Sequence, residues 1–371
     1  MSSVSHLASV DVDSTVLING AMASRKISSS TLRRTNANTL RGADTVSHTS
    51  TTTPHVVRPR PTTVSRMPEW LKFPLVVALS LGSSTVAYSL IADLTGYQLA
   101  AVSRQVDDTA RILALVAWKV LELGIAWWAG YDYLDTATLA FLTHAPYFYL
   151  LHHFYTLSLP ATLLPLLIDV GTLSLPFLLL RGVTPAHDPD SHAPGQPIVN
   201  DRNVTFYVTA LAASIYALTI WGSFFTWLPV YVVTHFEYVK SLESAHNAAL
   251  VPILIQFLFT VGLAARKFLF QASSGAAMSR ADAAEKVFAP DTVSLLETLR
   301  YNAGMWRWTK KEDVLAKRTA VLTLWTFANT WVRVFGTLDG SDALGAAGWA
   351  GVWAIASLAT GVAFGWVDSN V

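Results

Sequence analysis

Eight stretches of the chain carry nearly unbroken apolar side chains over the ~20 residues that a helix needs to cross a bilayer. They cover Trp70–Asp93, Thr109–Gly130, Thr136–Tyr155, Ala161–Leu180, Val204–Leu228, Ala248–Arg266, Thr319–Thr337 and Leu344–Val367. Apolar continuity at that length predicts helices, because only internal hydrogen bonding satisfies the backbone away from water. The third stretch is interrupted by His144, Pro146, His152 and His153, so six to eight spans are supported. The fifth breaks near Pro229. Beyond it, Val232, Phe236, Val239 and Leu242 alternate with Glu237, Lys240 and Glu243, which predicts an amphipathic segment at the interface. The expected fold is all-α, a polytopic transmembrane helical bundle of about eight spans.

The pattern divides the chain into four parts. Residues 1–68 are rich in Ser and Thr and carry the alternation Arg58-Pro59-Arg60-Pro61. Such a segment buries too little apolar surface to offset its ordering entropy, so a disordered tail is expected. Residues 69–268 hold six spans, 269–318 a loop, and 319–371 the last two spans. In the loop, Pro290-Asp291 precedes Val293, Leu296 and Leu299 at helical spacing, then Met305, Trp306 and Trp308 among Arg307, Lys310 and Lys311. Two readings stay open there: a helix lying on an anionic leaflet, or a short solvated helix.

Composition agrees with this picture. Hydrophobic residues make up 52% of the chain and charged residues 14%, against about 25% charged in ordinary soluble domains. The tail carries eight Lys and Arg, and the loop after the sixth span carries ten. Basic residues favour the cytosolic side, so both regions and both termini are expected there. The net charge of +1, with basic residues scattered over flanks and loops, offers no nucleic-acid surface. The absence of cysteine excludes disulfides, thiolate metal sites and cysteine nucleophiles. The first residues lack a secretory pattern, and Asp11 and Asp13 oppose a mitochondrial transit peptide. The endoplasmic reticulum or another endomembrane is therefore the expected location.

Candidate chemistry lies inside the spans. Lys119 and Glu122 share one face of the second span, and Asp169 sits at similar depth in the fourth. Charges at mid-membrane are costly and are retained for a partner or a function. A shared proton near Lys119 would suit a proton-coupled transporter or channel. A polar clamp in which Lys119 pairs with Asp169 would be structural. Arg333, one turn from the end of the seventh span, is expected to snorkel to the interface, or to contact a substrate or lipid. Gln256 is expected to hydrogen-bond another helix or contact a ligand.

The histidines near the third span, with His187 and His192 in the next loop, lack the spacing of di-iron His boxes. A zinc site of His187, Asp190 and His192 is chemically possible but short of ligands. No metal and no cofactor is therefore expected, and no hydrolase, phosphate-loop or metalloprotease motif is present. Gly345, Gly348, Gly351, Gly361 and Gly365 line the last span and predict close helix packing or self-association.

The segment Pro68-Glu69-Trp70-Leu71-Lys72-Phe73-Pro74-Leu75, then Leu81-Gly82-Ser83-Ser84, resembles a group of uncharacterised fungal multi-pass membrane proteins. Gly130-Tyr131-Asp132 and the Gly- and Trp-rich last span fit the same resemblance, which covers roughly residues 66–266 and the final two spans. It implies the architecture and carries no activity. The reading is a non-catalytic scaffold or assembly component in a lipid bilayer. Transport and a membrane-embedded lipid-modifying enzyme are the alternatives.

Overall fold

The computed structural model describes residues 68–105, 108–188, 196–242, 251–276, 298 and 310–369. The Ser/Thr-rich tail before residue 68 and, apart from residue 298, the Pro290–Trp308 segment lie outside the described residues. Among those described, all regular structure is helical, with isolated bridges joining Ser103 to Leu338 and Phe236 to Ser341.

The long helices are α1 (Glu69–Ala100), α2 (Thr109–Trp128), α3 (Tyr133–His153), α4 (Leu159–Leu180) and α6 (Arg202–Thr226), with the short α5 (Gln196–Asn200) before the last. They continue with α7 (Leu228–His235), α8 (Val251–Ala265), a π-helical turn (Arg266–Gln271), α9 (Ala272–Gly275), α10 (Lys310–Thr337) and α11 (Ala343–Ser369). Aspartates start three of them. The side chains of Asp108, Asp132 and Asp201 accept hydrogen bonds from Ala110, Asp135 and Asn203 N–H groups, which the first turn leaves without intrahelical partners. Gly130, at φ +76°, makes the turn from α2 to α3 in a conformation that costs glycine little.

Successive long helices run between two rims. At the first, Arg181 donates to Tyr131 O, and Arg318 to Phe268 O. At the second, Asp339 N–H donates to Val102 O, Arg104 N–H to Thr337 O, and Lys240 N–H to Phe154 O. The central helix is α3, buried almost throughout from Thr136 to Leu151, and it packs against α4, α8 and α10. The outer pairs are α1 with α4, α6 with α8, and α10 with α11. At Gly262 a Cβ would lie 2.5 Å from Thr209 O, so α8 and α6 come close enough there to need glycine.

Four helices, α1, α4, α6 and α11, are long and apolar enough to cross a membrane by length and composition. That is fewer than the eight expected from the apolar runs. The others either carry charge, as α2 does with Arg111, Lys119 and Glu122, or are short, as α8 is with 15 described residues. Large apolar side chains face outward, including Leu90, Tyr97, Leu167, Tyr207, Phe225, Ile355 and Trp366. Trp221 belongs with them at 61% exposure and stacks on Phe225, whereas Trp325 and Trp353 are buried.

The segment after Pro229 departs from the amphipathic expectation. Its helix ends at His235, Tyr238 adopts φ +60°, and Phe236 bridges Ser341. Val232 and Phe236 are buried in the core. Backbone pairing to the α10–α11 loop captures the chain before a longer helix can form.

Candidate functional site: a buried polar network across five helices

The polar side chains of α1, α2, α3, α4 and α10 meet inside the bundle. Asp169 on α4 is the hub. Its Oδ2 lies 2.8 Å from Arg333 Nη1, and its Oδ1 accepts a 2.9 Å hydrogen bond from Tyr88 Oη on α1. Helical side chains tilt toward the N-terminus of their own helix. α4 and α10 are antiparallel, so Asp169 leans toward one rim and Arg333 toward the bundle centre, and the two meet. Arg333 therefore does not snorkel outward. Its direction on α10 carries it to an internal carboxylate.

Lys119 is close to this pair without bonding to it. Its Nζ donates to Ser84 Oγ at 2.8 Å and to Thr172 Oγ1 at 3.5 Å. The direct cationic partner of Asp169 is thus Arg333 rather than Lys119. Glu122 is buried, and its Oε1 has no hydrogen-bond partner. That oxygen lies 3.6 Å from His144 Nδ1.

His144 is fully buried, 11 positions along α3, and is not an interfacial residue. Its Nδ1–H donates to Ala140 O at 2.7 Å, while Nε2 lies 3.9 Å from Asp169 Oδ2. Asn329 on α10 completes the network. It accepts from Trp118 Nε1–H and donates to Thr143 O, and the Trp118 ring stacks on Trp325 at 4.8 Å. A cavity of about 10 Å³ lined by Glu122, Thr136 and Leu173 adjoins the network. It has room for about one water molecule.

Gln256 lies outside this constellation, on the exposed side of α8. Three of the five α11 glycines pack closely within the chain. A Cβ at Gly345 would meet His235, one at Gly348 would meet Tyr231, and one at Gly361 would meet Thr319. Gly351 faces open space, and Gly365 has only Leu315 nearby, at 3.7 Å.

A second polar cluster sits at the first rim. Arg318 makes a bidentate pair with Asp135, at 2.5 and 2.7 Å, and its guanidinium lies over the rings of Tyr131 and Phe268. Asp132 Oδ2 accepts from Thr184 N–H, Thr184 Oγ–H and His187 Nδ1–H. Burial opposes ionisation of Asp132, but the His187, Asp135 and Thr184 hydrogen bonds outweigh it and hold its carboxyl well below the usual range.

The ligand atoms of Asp132, Asp135 and His187 lie within 4.8 Å of one another, the spacing of a metal site. The donor set fits one poorly, because Arg318 occupies both oxygens of Asp135 and four donors engage Asp132, three at Oδ2 and Asp135 N–H at Oδ1. The cluster fits a clamp joining the α2–α3 turn, the segment after α4, and α10. Asp190 and His192, the other members of the conceivable zinc set, lie outside the described residues.

Sequence reasoning placed Lys119, Glu122 and Asp169 at one depth and missed that His144, Asn329 and Arg333 complete the network. The available signal was polar side chains on α3 and α10 at matching distances from the span ends. Asp135 and Arg318 were hidden by their position at span boundaries, where charges are ordinary.

These features define an all-helical bundle with membrane-length apolar helices outside and a closed polar network inside. Residues 201–354, less than half of the chain, match the family model of the Bouquet formation protein 3 C-terminal domain. No curated protein and no solved structure matches.

Proposed function

We propose that this chain is a non-catalytic, multi-pass membrane protein that acts as a scaffold or assembly component, and that it serves bouquet formation, the process named by the family it resembles. The observation that carries the scaffold reading is the closure of its polar interior. Asp169, Arg333, Asn329 and Trp118 are tied to one another or to backbone, and the cavity beside Glu122 admits about one water. A transport path would need a wider opening beside those charges. A cleft of about 370 Å³ lined by Arg104, His235, Glu237, Asp339 and Asp342 opens at the second rim, but it does not include the residues of the buried network.

The outward apolar side chains favour lipid contact over the whole bundle. In this reading the long helices make eight passes, with both termini and the first rim cytosolic in an endomembrane. In it Glu122, His144 and Asn329, which are buried, face the bundle interior and not lipid. Two measurements test the proposal. The full chain should stay in the membrane pellet after alkaline carbonate extraction, and release would refute an integral protein. Deleting its gene should impair bouquet formation, with rescue by the intact chain. An unimpaired process would remove the second part of the reading.

A further inference from the structure

Arg266 opens the π-helical turn that follows α8, and it is a buried cation without a counter-charge among the described residues. It retains 5% of its surface. Its Nη2 donates to Val199 O at 2.6 Å and to Thr205 Oγ1 at 2.7 Å. Its Nε–H, buried as well, has no acceptor. Arg318 and Arg333 each hold a carboxylate, whereas among the described residues none lies within 4.0 Å of Arg266. A buried charge left unpaired is strongly disfavoured, so this arrangement calls for an anion that the described side chains do not supply.

The surroundings identify that anion. Arg266 ends the apolar run of α8 and stands at the first rim, where Phe268 and Arg318 meet. In the proposed topology this is the headgroup level of the cytosolic leaflet, which is rich in anionic lipid. Lys267 follows it in the same turn and is half-buried, and Arg202 is exposed one turn before Thr205 on α6. The nearby carboxylate of Asp201 is committed to the first N–H groups of α6. π-Turns recur at functional sites because the extra residue redirects side chains. Nη2 has given both of its hydrogens to Val199 O and Thr205 Oγ1, so among the described residues Nε–H and Nη1 are the donors left, and a phosphate oxygen suits them through charge-assisted hydrogen bonds.

We propose that Arg266, with Lys267 beside it, binds a phosphate-bearing anion between the π-turn and the start of α6. The source is either a lipid headgroup or free phosphate, and the lipid source alone rests on the membrane reading above. The test uses the purified full chain. In nanodiscs of phosphatidylcholine with phosphatidic acid, native mass spectrometry should find phosphatidic acid retained by the wild type. Arg266→Lys keeps the charge and loses the Nε–H donor, and should bind about tenfold more weakly, the loss of one charge-assisted hydrogen bond. Arg266→Gln should retain none, and the same-rim control Lys72→Gln should bind as wild type does.

In detergent, inorganic phosphate alone should raise the melting temperature if the free anion is the ligand, and should leave it unchanged if the lipid is. Equal retention by wild type and Arg266→Lys, or no response to either probe, overturns the proposal. Should Arg266→Gln fail to fold, Arg266→Lys carries the comparison. Phosphate binding in detergent does not require a bilayer, so this inference and the membrane reading fail separately.

Discussion

Arg333 and Asp169, 164 positions apart in sequence, form a 2.8 Å ion pair inside the bundle. The pair ties α10, which lies in the family-matched stretch, to α4, which lies before it. Fifteen positions earlier on α10, Arg318 grips Asp135 at the start of α3. One helix of the matched region is thus fastened near both of its ends to helices outside it.

Removing either partner of the Arg333–Asp169 pair strands the other charge, a buried carboxylate or a half-buried guanidinium. Arg333→Met or Asp169→Leu alone should cost about 3–5 kcal/mol of stability. The double variant should lose less than the sum, because no charge is left behind. Denaturation in detergent measures this, and strictly additive losses would mean that the pair is not coupled. Lys119→Met, which gives up hydrogen bonds to Ser84 and Thr172, should show no comparable coupling to Asp169→Leu.

The rim clamp should respond to acid. The folded-state pKa of Asp132 is depressed, so its contribution is present above the unfolded value of about 3.9 and is lost as pH falls through the folded value. Asp132→Asn should be less stable than wild type at neutral pH. The gap should narrow as pH drops below about 4. Melting curves across that range check it, and a constant gap would show that the charge of Asp132 is not what stabilises.

The glycines of α11 separate into two kinds. A Cβ at Gly361 would lie 2.2 Å from Thr319 Cγ2, and one at Gly348 equally close to Tyr231. Gly361→Ala and Gly348→Ala should each cost about 1–3 kcal/mol through overpacking. Gly351→Ala meets nothing within 4 Å and should be neutral or stabilising by up to about 1 kcal/mol. If self-association uses this helix, Gly351→Leu should disrupt it without unfolding the chain. Cross-linking yield against melting temperature distinguishes the two effects.

Because the chain has no cysteine, single introduced thiols report topology cleanly. Ser50→Cys and Glu285→Cys should label from the cytosolic side only, and Asp339→Cys, at the second rim, only from the opposite side. Labelling of position 50 or 285 from the lumen would invert the proposed orientation.

The apolar runs by themselves determined that the chain is helical and roughly where each long helix lies, because a continuous apolar stretch has few other ways to satisfy its backbone. They also marked Lys119, Glu122 and Asp169 as internal polar residues. Partner choice was beyond them. Whether Asp169 meets Lys119 or Arg333 depends on which helices are neighbours and how far each is rotated, and periodicity in one helix contains neither. The same limit hid His144 at the centre of α3. It also hid the capture of Phe236 by Ser341, which stopped a helix that local pattern favoured. Local composition sets the elements through backbone hydrogen bonding. Tertiary packing assigned the charges, since a buried charge is stable only where another chain segment supplies its partner.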